Sequence, residues 1–75
     1  MCMLNFYYKV KLALLDNKII KQDKHFILSY DIPSKVYNIW YIGAYNELNY
    51  YGTCEDVLSA KFQWNILMSR GEESC

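Results

Sequence analysis

Between Cys54 and Arg70 the chain carries apolar residues at helical spacing on two sides, and this limits what the rest of it can fold into. On a wheel of about 100° per residue, Val57, Ala60, Trp64, Leu67 and Met68 fall in one arc. Leu58, Phe62 and Ile66 fall in a second arc roughly opposite, with Lys61 and Asn65 between the arcs on one side and Ser59 and Gln63 on the other. A helix lying on one sheet needs a single apolar stripe. The second stripe must meet a covering loop, such as Tyr50-Tyr51, or a second copy or partner, because anchors at i, i+4 and i+8 suit helix-in-groove contacts. Leu58, Phe62 and Ile66 are therefore candidate partner-binding residues.

The helix limits follow from local chemistry. Thr53 with Asp56 three residues on resembles a shortened capping box, and Glu55 and Asp56 complement the dipole of a first turn. Arg70 and Gly71 mark the other end. The expected span is about 54–70, with 71–75 as a frayed acidic tail.

Upstream, strand signals dominate. Leu4 to Leu14 alternates apolar and polar, predicting a strand over about 3–15 that buries its even-numbered residues. Asp16-Asn17-Lys18 suits a turn into a second strand over about 19–30, pairing Tyr8 with Phe26 and Phe6 with Leu28. Leu12, Leu15 and Ile19 also fit a helix over Val10 to Lys21, and the regularity of the alternation favours the strand. Pro33 makes 31–35 a connection. Val36 to Tyr45 is β-branched and aromatic, with neither face clearly polar. Asn46 to Asn49 reads as a turn, after which Tyr50 to Gly52 can pair back. The expected fold class is α+β: one domain over 1–75, a small antiparallel β-sheet of three or four strands with one C-terminal α-helix packed across it.

At 75 residues the core is small, and domains of this size usually need added support from a disulfide, a metal or a second subunit. Cys2, Cys54 and Cys75 are odd in number and not at metal-ligand spacing, so reduced thiols, a cytoplasmic location and no metal or other cofactor are expected. Self-association as a homodimer, or docking on another protein, is left as the support. The first residues lack the pattern of a secretory leader, and the longest apolar run, Ile39 to Tyr45, is far below the ~20 residues of a membrane span.

Eight Tyr against three Phe points to covered rings with wet hydroxyl tips, which suits interface rims. Tyr37, Tyr41 and Tyr45 share one expected strand face and join the candidate partner-binding set. Charge is uneven: up to Lys35 there are six Lys against three Asp, whereas beyond it Lys61 and Arg70 face five acidic residues. Tyr7 with Lys9 and Lys11 on the outer face of the first strand forms an alternative nucleic-acid-binding set, since lysines can meet phosphates and tyrosine can stack on bases. His25 is the lone histidine and has no nucleophile or carboxylate at informative spacing; no catalytic residue is assigned and no enzyme expected. Cys54 is expected to be buried beside the helix cap rather than reactive.

Ile, Lys, Asn and Tyr make up 28 of the 75 residues, the bias of A/T-rich coding. In size, composition and layout the chain resembles the accessory proteins that bacteriophages and other mobile elements encode to block host factors. That resemblance implies a stoichiometric inhibitor, such as an anti-CRISPR or other anti-defence protein, working in the host cytoplasm. The function expected is a protein-binding module acting by steric contact; the alternative is a small nucleic-acid-binding protein using the basic, Tyr-bearing hairpin.

Overall fold

A computed structural model describes the backbone of residues 2–74 and the side chains of residues 7–69. It consists of helix α1 (Cys2–Ala13), strands β1 (Asn17–Gln22), β2 (Phe26–Asp31), β3 (Val36–Ile42) and β4 (Leu48–Cys54), and helix α2 (Val57–Ser74). The strands form one antiparallel sheet in the order β1-β2-β3-β4, so every neighbour is reached by a tight hairpin. The fold is α+β with its C-terminal helix on the sheet, as expected.

The first segment is the main correction. Residues 2–13 are helical where the alternation predicted a strand over 3–15, and the expected hairpin between them and 19–30 does not exist. The reason lies in a shared spacing: Tyr8 and Leu12 are both even-numbered, and they are also i and i+4, so one pair satisfies either period. Both are buried, whereas Val10 and Leu14, which the strand would have buried, are exposed. Lys, Leu and Ala in this stretch favour helix. The helix ends on i→i−3 bonds from Leu15 N–H to the Leu12 carbonyl (3.0 Å) and Asp16 N–H to the Ala13 carbonyl (2.9 Å). Asp16 then takes a left-handed conformation (φ 59°) that turns the chain into β1.

The polar stretch around Asp23 also proves decisive. Where one strand over 19–30 was expected, Asp23, Lys24 and His25 turn the chain between β1 and β2; Asp23 N–H reaches the Phe26 carbonyl (2.8 Å), and His25 N–H reaches the Asp23 carboxylate (3.3 Å). His25 therefore sits in a turn. The connection expected over 31–35 covers residues 32–35, since Asp31 still pairs with Val36 as the last residue of β2; Lys35 is left-handed (φ 61°). The third strand stops at Ile42, short of Tyr45. The turn falls at 43–47, where Gly43 N–H bonds the Glu47 carbonyl (2.9 Å) and Asn46 is left-handed (φ 63°).

The two helices cover opposite faces of the sheet. On one side Leu28, Ile39 and Cys54 pack against Ala60, Trp64 and Leu67 of α2, with Phe26, Tyr37 and Met68 at the margin. On the other, Tyr8 and Leu12 of α1 pack on Ile27, with Ile19, Trp40, Ile42 and Leu48 around them. This explains why neither face of residues 36–42 is polar: each lies beneath a helix. Beside the α1 cluster, a chain of side-chain hydrogen bonds crosses all four strands. Ser29 donates to Asn17 Oδ1 (2.7 Å), Asn38 Nδ2 donates to the same oxygen (3.1 Å), and Thr53 donates to Asn38 Oδ1 (2.9 Å). Trp40 Nε1 donates to Ser29 Oγ (2.8 Å), and Asn17 Nδ2 meets the Leu15 carbonyl (3.0 Å) just past α1. Among the described residues no buried side-chain nitrogen or oxygen lacks a partner. These polar groups therefore fix strand register without leaving an unmet hydrogen-bond requirement.

Candidate protein-contact surface

Helix α2 is positioned by its cap and by its inward stripe. It begins at Val57 rather than at Cys54, and the cap is Asp56, whose carboxylate accepts from Ser59 N–H (2.7 Å), rather than Thr53, which bonds Asn38 on the far side of β4. Bonds from the Ser59 backbone and hydroxyl hold the Asp56 carboxyl below the usual carboxylate range. The far end runs on to Ser74, so Gly71 does not stop the helix and 71–74 is helical rather than a frayed tail; Cys75 and the side chains of Cys2 and Arg70 lie outside the described residues.

With Ala60, Trp64 and Leu67 buried, the opposite arc points away from the sheet. Leu58 is 74% exposed and Phe62 63%, one helical turn apart, while Ile66 is half-buried. The loop alternative does not hold in the isolated chain: Tyr50 and Tyr51 are themselves exposed, and Tyr51 meets Phe26 edge to face (5.4 Å between ring centres). Of the inward arc only Val57, in the first turn, remains open.

Of the three tyrosines expected on one strand face, Tyr37 and Tyr41 share a face of β3 and Tyr45 lies beyond the strand. Tyr37 is half-buried on the α2 side of the sheet, its ring 5.0 Å from that of Tyr30. Tyr41 is partly exposed beside Phe26 (5.8 Å), and Tyr45 is almost fully exposed in the β3-β4 turn, since the strand has ended before it. Tyr45 is thereby separated from the other two.

Tyr7, Lys9 and Lys11 are also redistributed, because they lie on α1. Lys11 lies over the Tyr7 ring (5.4 Å to its centre) with Nζ 3.5 Å from the Tyr7 hydroxyl. Lys9, two residues from each, is turned to another side of the helix. Tyr7, Lys9 and Lys11 therefore share no strand face.

Sequence reasoning missed a second open stripe. Tyr7 and Val10 on the outer side of α1, with Leu14 just past its end, stand at i, i+3 and i+7 and are all exposed. The spacing was visible, but the alternating pattern had claimed these residues for a strand. A groove of about 460 Å³ was also unforeseen; it runs between β4 and α2 and is lined by Tyr51, Gly52, Cys54, Asp56, Ser59 and Gln63 among others.

For chemistry the described residues offer little. Cys54 is buried as expected, and burial, aided by the Asp56 charge, pushes its thiol up, away from a reactive thiolate. Burial likewise raises the Tyr8 hydroxyl, which donates to the Asn46 carbonyl (3.1 Å). Among the described residues no three His, Cys, Asp or Glu side chains gather as a metal site, and no helix is long and apolar enough to cross a membrane. Comparison with known protein families, curated proteins and solved structures finds no match for this chain.

Proposed function

We propose that this chain is a small, non-enzymatic protein-binding module that acts by steric contact through the outer side of α2, engaging a second copy of itself or another protein. The observation that carries the reading is that Leu58 and Phe62 remain open to water after both helices have docked on the sheet. Exposed large side chains in one stripe cost solubility and contribute nothing to the folding of the lone chain, while contact with a partner makes use of them. Small size and A/T-biased composition support the narrower reading of an inhibitor, such as the anti-CRISPR and other anti-defence proteins of phages and mobile elements.

Leu58→Glu with Phe62→Glu tests this. Sedimentation of the native chain and partner capture with mass-spectrometric identification are repeated on the variant. The reading requires association to disappear while the variant stays soluble and folded; unchanged association, or unfolding of the variant, would remove its basis.

A further inference from the structure

The two edges of the sheet are treated differently. β1 carries exposed Lys18 and Lys21 and a bulge at Ile20, the usual defences of an edge against strand addition. β4 shares the bulge, at Tyr51, but no residue from Leu48 to Cys54 is charged. Charge appears only at its ends, with Glu47 before it and Glu55 and Asp56 after it. The groove between β4 and α2 lies along this edge, and at Gly52 a side chain would meet nothing within 4 Å, so the wall is notched where its residue lacks a side chain.

A second copy is a poor occupant. The antiparallel registers that overlap β4 with itself most fully set Glu47 beside Glu55 or Asp56 of the other copy at both ends, and like charges facing across a pair of strands repel. We propose instead that the β4 edge receives an extended segment of a different protein as a fifth strand, with Lys or Arg toward its ends and a mid-sized apolar side chain lodged at Gly52 in the groove. Main-chain bonds to the free edge supply affinity, and the notch and terminal carboxylates select the sequence. This surface is separate from Leu58 and Phe62, and the inference stands without the proposal for that face.

The probe is the peptide KKTVTVTKK, titrated into the ¹⁵N-labelled full chain, with EETVTVTEE and KKTPTPTKK as counterparts. Shifts concentrated in 48–54, Ser59 and Gln63, with weaker binding of the acidic and proline peptides, are the expected result. Gly52→Leu fills the notch and should weaken binding about tenfold or more, the loss of one buried apolar side chain. Should its thermal melt differ from that of the native chain, Glu55→Lys replaces it as the variant and should weaken binding through charge alone, an effect that added salt diminishes. Leu58→Glu with Phe62→Glu should bind the peptide unchanged. Shifts confined to α2's outer face, equal binding of the acidic peptide, no binding at all, or self-association through β4 would each overturn the proposal.

Discussion

Replacing Leu58 and Phe62 together by alanine separates an interface from a core residue by magnitude as well as by sign. Full burial of a Leu or Phe side chain is favourable by ~1.5–3 kcal/mol. With 74% and 63% of the two still exposed in the lone chain, sealing them against a partner is worth ~1–2 kcal/mol each by that scale. Losing both should weaken association by ~2–4 kcal/mol, or roughly 30- to 700-fold in Kd. The chain itself should hardly notice, since alanine is the better helix former and exposed substitutions usually fall within ~0.5 kcal/mol. Were the pair core, each would cost ~2–5 kcal/mol, and at ~4–8 °C per kcal/mol a domain this small would unfold. Sedimentation equilibrium, or interferometry against a captured partner, measures the first quantity, and circular-dichroism melting the second. A Tm lower by more than ~10 °C, or an unchanged Kd, would refute the reasoning.

Ser29→Ala leaves the half-buried Trp40 Nε1 without its acceptor inside the sheet's polar chain; losing such a bond costs ~1 kcal/mol, so Tm should fall by ~4–8 °C, and thermal melting with tryptophan emission checks it. Stability should be flat in mid-range and fall on both sides of it, which melts across pH will trace. On the acid side, Asp56 and Glu47 have folded pKa values lowered by hydrogen bonds, so their stabilisation is complete above ~4 and lost as pH falls through the lowered values. On the alkaline side, Cys54 and Tyr8 are raised by burial, so theirs is complete below ~8.5 and ~10 respectively and is lost as pH rises through the raised values. Gly43→Ala places a methyl group against the Glu47 carboxylate, which bonds Tyr45 N–H (3.0 Å). The carboxylate should swing away, read as a changed Tyr45 amide shift with the sheet intact.

What was legible in the sequence was whatever a single period decides. In α2 the centres of the inward and outward arcs matched, although Val57 is exposed and Ile66 half-buried, because Ala60, Trp64 and Leu67 have no second pattern competing for them. The stretch from Leu4 to Leu14 satisfies two periods at once, and its fate was set by tertiary packing: Tyr8 and Leu12 needed a sheet face to lie on, and β2 and β3 supplied it. The polar run at Asp23 to His25 became a turn because the preceding strand begins at Asn17, which brings β1 to its end just before it. Separation of Tyr45 from Tyr37 and Tyr41 followed from the early turn at Gly43, a displacement of a few residues that moved Tyr45 off the strand. The groove beside β4 could not be read at all, since it is created by the distance between a strand edge and a helix remote from it in direction.

Hydroxyl-radical footprinting of the dilute lone chain and of its associated form tests the central claim most directly. In the dilute chain Phe62 and Leu58 should oxidise at rates close to those of free side chains, and association should protect both while leaving Tyr7 and Val10 reactive. Protection of Phe62 already present in the dilute monomer would contradict the account.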